Sequence, residues 1–118
     1  MNKRKIGQEQ ESLAAIYLKQ QGYQILKRNF QCPAGEIDLI ALHQGYLVFI
    51  EVKYRTTLRE GYPEEAITPS KQKKISKTAL WYMTTNNISL DTPCRFDVVS
   101  IMPDQIRIIP DAFPFQSY

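Results

Sequence analysis

A chain of 118 residues can bury one core but not two, and 43% hydrophobic with 23% charged residues is a globular composition that excludes a disordered chain. No apolar run approaches the roughly 20 residues of a membrane helix, so no membrane association is expected, and a net charge of +3 permits an anionic partner without requiring one. Cys32 and Cys94 have neither CxxC spacing nor a neighbouring His, which excludes a zinc site and fits a reducing cytoplasmic location where both thiols stay free.

The basic opening MNKRKIGQEQES leads into no apolar h-region, so no signal peptide is expected. Leu13, Ala14, Ile16 and Tyr17 have helical spacing and predict a helix over 6–21, stopped at Gly22. YQILKRNF (23–30) reads as a strand, while EIDLIAL (36–42) and YLVFIEVKY (46–54), rich in Ile, Val and aromatic residues, give the strongest strand signals. RTTLREGYPEEAITP (55–69) is a polar loop around Gly61 and Pro63. Thr68 then caps a helix with Pro69 at its first position, running to about Thr85. Ile75, Ala79, Tyr82 and Met83 form its apolar face, with Lys71, Lys73, Lys74 and Lys77 elsewhere. RFDVVSIM (95–102) and QIRIIP (105–110) make a hairpin turning at Pro103 and Asp104. This order predicts an α/β fold with a mixed sheet flanked by helices, in a single domain over 1–118.

Three charges interrupt the central strands: Asp38, Glu51 and Lys53. If Gln44 and Gly45 are the two central residues of a tight turn, His43 pairs with Tyr46, Leu42 with Leu47, and onward until Asp38 faces Glu51 and Glu36 faces Lys53. Strand alternation then puts Glu36, Asp38, Glu51 and Lys53 on one face with Ile40, Leu42, Leu47 and Phe49. Ile37, Leu39, Ala41, Val48, Ile50 and Val52 take the other. Directly opposed side chains have Cβ atoms roughly 5 Å apart, and two carboxylates at that range repel by about 3 kcal/mol at an effective dielectric near 20. A hard divalent cation between them reverses that sign. The structural alternative is a solvated edge, or an ion pair of Lys53 with Glu36 or Glu51.

An acidic residue on one strand followed by Glu-x-Lys on the next resembles the PD-(D/E)xK nuclease superfamily of restriction-endonuclease-like folds. GEIDLIA, VFIEVKYR, PSKQKKI and RFDVV together resemble the small bacterial YraN family, itself similar to archaeal Holliday-junction resolvases. The resemblance runs from Gly7 and Glu11 to the strand after Arg95. It implies a restriction-endonuclease-like sheet and a metal-dependent endonuclease acting on DNA, branched DNA included. It also implies Mg²⁺ (or Mn²⁺) held by Asp38, Glu51 and the Val52 carbonyl, with Lys53 as the catalytic lysine and Glu11 as a further acidic catalytic residue. The sequence departs from the motif in having Ile37, not Pro, before Asp38.

Lys71 and Gln72 at the helix start, with Arg55 and Arg59 in the preceding loop, are expected to meet phosphates. Tyr54, Tyr62 and Trp81 are read either as stacking surfaces for bases or as core, and His43 as a surface residue of the turn. Analogy with resolvases adds a homodimer. Two other readings compete: a nucleic-acid-binding module of nuclease fold without turnover, and an interaction protein whose charges are structural.

Overall fold

Runs rich in Ile, Val and aromatic residues become strands close to where the sequence predicts them: β1 (Gln24–Cys32), β2 (Gly35–His43), β3 (Tyr46–Tyr54), β4 (Cys94–Met102) and β5 (Gln105–Ile109). Two helices, α1 (Lys3–Gln20) and α2 (Pro69–Thr85), and one 3₁₀ turn at Pro63–Ala66 complete the elements among the described residues. The computed structural model describes residues 3–59 and 61–116, with side chains from residue 7 onward; the basic start of the sequence lies outside the described side chains. No helix among the described residues is long and apolar enough to cross a membrane.

The strands form one sheet in the order β1-β2-β3-β4-β5. Pairing is antiparallel except between β3 and β4. A parallel pair needs a long crossover, and α2 supplies it. The result is the predicted α/β fold, a mixed sheet with two helices, consistent with a restriction-endonuclease-like arrangement. Thr68 caps α2 as expected, its hydroxyl accepting from the Lys71 N–H at 3.3 Å with Pro69 opening the helix. At the other end of the chain, α1 stops in a Schellman turn, where the N–H groups of Gly22 and Tyr23 reach the carbonyls of Lys19 and Leu18.

Helices cover both faces of the sheet, so the three inner strands bury consecutive residues. On the α2 side, Ile40, Leu47, Phe49, Phe96, Val98 and Phe113 pack against Ile75, Ala79 and Met83. On the α1 side, Leu39, Ala41, Val48, Ile50, Val99 and Ile101 pack against Ala14, Ala15 and Leu18. Of Leu13, Ala14, Ile16 and Tyr17, whose spacing predicted this helix, Ala14 belongs to that contact. Leu13 and Ile16 are 42% and 56% exposed. Small alanines, spaced with Leu18, let the backbone of α1 sit close to the sheet, and the same stripe includes Glu11 three residues before Ala14.

The tight turn holds: Gln44 and Gly45 have φ values of 52° and 84°, and His43 pairs with Tyr46. Two left-handed residues in succession are what a type I′ hairpin requires, and glycine takes the second without steric cost. The expected alternation does not hold. Ile37 packs with Ile40 on the α2 side instead of with Leu39. The reason is a kink shared by two strands. Asn29, left-handed at φ 52°, lies between Arg28↔Leu39 and Phe30↔Ile37, and therefore opposite Asp38. Beyond this point both strands exchange faces.

Candidate active site

The kink opens the sheet. β2 and β3 pair from His43↔Tyr46 to Leu39↔Ile50 and no further. Meanwhile β2 stays with β1 down to Gly35↔Cys32, and β3 stays with β4 up to Tyr54↔Ile101. The predicted pairs Asp38 with Glu51 and Glu36 with Lys53 therefore do not form as ladder pairs; the four residues flank a fork. Side chains close it instead. Asp38 Oδ2 accepts from the Val52 N–H at 2.8 Å, and the Glu51 carboxyl takes the N–H of Asp38. Each acid thus bonds the backbone of the opposite strand, which holds the two carboxyls together.

The electrostatics are strained. Burial pushes the Glu51 carboxyl well above its ordinary value, and the charge of Asp38 adds to this; Lys53 works the other way. Burial also raises Asp38, with Glu36 adding, against the Val52 N–H, Lys53 and a hydrogen bond from the Glu51 carboxyl, which favour its charge. From α1, Glu11 faces the same place. Burial and then the charge of Asp38 bring it up to about 7, with Glu36 adding and Arg28 opposing. Arg28 is steadied by the Ser12 hydroxyl at 2.8 Å. Glu11 Oε1 and Glu51 Oε1 are both buried without a hydrogen-bond partner, which native structures rarely tolerate without a reason.

The expected residues thus divide. Glu11, Asp38, Glu51 and Lys53 converge, with Glu36 and Arg28 at the margin. Gln72 is engaged within the protein: its amide donates to the Ile67 carbonyl at 3.1 Å and accepts from Gln116 at 3.1 Å, which fastens the C-terminal segment to α2 and leaves one amide N–H for another acceptor. Lys71 stands exposed at the start of α2. Arg55 is half-buried just past β3, its N–H on the Ile101 carbonyl at 3.0 Å.

The residues fit a hard cation in chemistry. Two carboxylates and the Val52 carbonyl are oxygen ligands, and Mg²⁺ ordinarily keeps several waters besides one or two protein carboxylates. Among the described residues, no three His, Cys, Asp or Glu side chains gather into a cage, so water would complete the shell. The unpartnered Glu51 oxygen is the atom such an ion would satisfy.

One polar cluster escaped the sequence reading. Asp97 in β4 is fully buried. It accepts from both Arg95 nitrogens at 2.8 Å, from the Tyr23 hydroxyl at 2.7 Å and from the Asp111 N–H at 2.9 Å. Arg95 also donates to His43 Nδ1 at 2.8 Å. Since a guanidinium only donates, Nδ1 is the acceptor in this bond. The His43 ring stacks on Tyr23, with centroids 3.8 Å apart. His43 is therefore part of a packed network, not the free turn residue expected. An aspartate inside an apolar strand, the signal that singled out Asp38, was also present in RFDVV.

Comparisons with known proteins place these residues in a family context. Residues 10–101, which include Glu11, Asp38, Glu51 and Lys53, match the model described as "Uncharacterised protein family UPF0102". The chain is 54% identical over 113 residues to a UPF0102 protein of Lachnoclostridium phytofermentans, covering 96% of each chain. It is 46% identical over 101 residues to a UPF0102 protein of Caldanaerobacter subterraneus subsp. tengcongensis, covering 86% of this chain and 82% of that one. Against a UPF0102 protein of Geobacter metallireducens it is 45% identical over 118 residues, covering 96% and 95%.

Proposed function

The chain belongs to the uncharacterised protein family UPF0102, and we propose that it is a metal-dependent endonuclease that hydrolyses phosphodiester bonds in DNA, branched DNA included. One observation carries this reading: two carboxyls, each bound to the opposite strand across a fork, with a Glu51 oxygen buried and unpartnered. A structural buried acid would be expected to pair with a base, as Asp97 does with Arg95, not with a second acid. A mere nucleic-acid binder has no use for paired acids.

In this reading Asp38, Glu51 and the Val52 carbonyl hold Mg²⁺ or Mn²⁺. The bound ion supplies Lewis acidity toward the phosphoryl oxygen and a lowered pKa for a coordinated water. Lys53, on the same strand two residues past Glu51, stabilises the charge that builds on the phosphoryl group or orients the attacking water. Asp38 is held in place by the Val52 N–H. Glu11, brought up to about 7, is able to hold or release a proton near neutral pH. Lys71 and Arg55 meet the backbone of the DNA.

The test is cleavage of linear, flapped and four-way DNA with Mg²⁺ or Mn²⁺, with EDTA as the control. Slow metal-dependent cleavage that is lost in Lys53→Ala is the expected result. Full activity in Lys53→Ala would remove that lysine from the chemistry. Tight binding without cleavage of any substrate would favour the module without turnover.

A further inference from the structure

A half-exposed aromatic ring lies on the same face of the sheet as Lys53. Lys53 pairs with Ser100 in β4, and Ser100 pairs with Arg107 in β5. Neighbouring strands are about 4.8 Å apart, so Arg107 lies about 10 Å along this row from Lys53. Its guanidinium donates to Glu64 Oε2 at 2.7 Å and sits 5.2 Å from the ring centroid of Tyr62. Burial works against the charge of Glu64, but its own backbone N–H, the Arg107 guanidinium and the Ser100 hydroxyl outweigh it, and the carboxyl lies below its ordinary range. Pro63 is buried between Tyr62 and Glu64. The ring is thus mounted on a fixed base, not on a loose loop.

Yet Tyr62 is 42% exposed, whereas Phe49, Phe96 and Phe113 on this face are buried. Tyr46, 40% exposed with Arg95 5.2 Å from its ring centroid, is held in the same way. It opens β3 at the end away from Lys53, whereas Tyr62 is tied to the row that contains Lys53. The Tyr62 assembly is not a phosphate contact, because Glu64 neutralises the arginine that would make one. What the assembly offers is a rigid π surface backed by a compensated cation.

We infer that Tyr62, supported by Arg107 and Glu64, is a ledge on which an unpaired nucleobase stacks beside the candidate active site. The inference rests on the nuclease reading and narrows its substrate to DNA with a single-stranded or flapped segment. Every base has a π face, so such a ledge is tolerant of sequence, but in intact duplex those faces are already covered by neighbouring bases.

Binding measured in EDTA isolates the ledge from catalysis. Fluorescence anisotropy with a labelled single-stranded oligonucleotide and with a blunt duplex would be recorded for wild type, Tyr62→Ala and Tyr62→Trp. Loss of one stacked base weakens single-strand binding by about fivefold to a hundredfold. The expected result is that loss in Tyr62→Ala, recovery in Tyr62→Trp, and unchanged duplex binding in both. Wild-type affinity of Tyr62→Ala for the single strand overturns the ledge, as does an equal loss on both DNAs. If wild type nevertheless cleaves DNA with Mn²⁺, only the ledge has failed. If wild type binds neither DNA, the nuclease reading falls and the ledge with it.

Discussion

Asp97 pairs with Ile50 across the β3–β4 ladder, one residue from Glu51, yet the two acids have opposite surroundings. On the α1 side, four hydrogen bonds fill both oxygens of Asp97, and a bidentate arginine balances its charge. At the fork, Glu51 keeps an unpartnered oxygen and lies against a second acid, with Lys53 and the backbone N–H of Asp38 opposing the rise that burial causes. Both acids interrupt apolar strands, so sequence pattern does not separate them. Satisfaction does. A buried charge with every lone pair engaged is explained by the fold, whereas a buried acid held well above its ordinary range beside a second acid points beyond it.

That contrast has measurable consequences. The largest concerns Asp97→Ala, which leaves Arg95 buried without its counter-charge and should cost about 3–5 kcal/mol, a large part of the stability of a domain this size. Urea denaturation measures it, and a cost below about 1 kcal/mol would erase the distinction between the two sites. Asp38→Asn should behave differently. The amide oxygen can still accept from the Val52 N–H while the repulsion with Glu51 disappears, so the metal-free protein should match wild type within about 0.5 kcal/mol or exceed it. Mg²⁺ or Mn²⁺ at ten times Kd should stabilise wild type by about 1.4 kcal/mol and the variant by much less. A destabilised variant, with wild type indifferent to metal in thermal melts, would make the fork a second structural pair.

The smallest effect is a pH slope. Glu11 is raised from 4.5 to about 7, so the folded state binds its proton more tightly than the unfolded chain does. Stability from this group is therefore full below about 4.5, falls as pH rises through 7, and levels off above. In EDTA, Tm should decline between pH 5 and 8 more steeply for wild type than for Glu11→Gln. Parallel curves would detach Glu11 from the fork.

What the sequence disclosed was local. Strand signals, the Thr68-Pro69 cap and the Gln44-Gly45 turn depend on neighbours in the chain, and the structure has all three. Ile37 was assigned to the wrong face because strict alternation has no term for the Asn29–Asp38 kink, which arises between two strands. Spacing grouped Leu13, Ile16 and Tyr17 with Ala14 and passed over Ala15 and Leu18, although close approach of a helix to a sheet favours the smaller residues. The network of Tyr23, His43, Arg95 and Asp97 unites residues up to 74 positions apart, and no pattern of local spacing reveals it. Membership in the family fixes none of these contacts by name.

The parallel pairing of β3 with β4 also shapes how the chain is made. During synthesis β3 is followed by a loop and α2, and its second edge has no partner until 94–102 emerge. At about 5–20 residues per second the delay is several seconds. Throughout it, YLVFI (46–50), paired with β2 on one side, presents one open edge of high β-propensity, the kind of segment that recruits other chains. Glu51 and Lys53 follow immediately, where charges act as gatekeepers against such stacking. The charges that mark the fork in the finished protein therefore also guard the nascent one, and replacing both with valine would lower soluble yield before any question of catalysis arose.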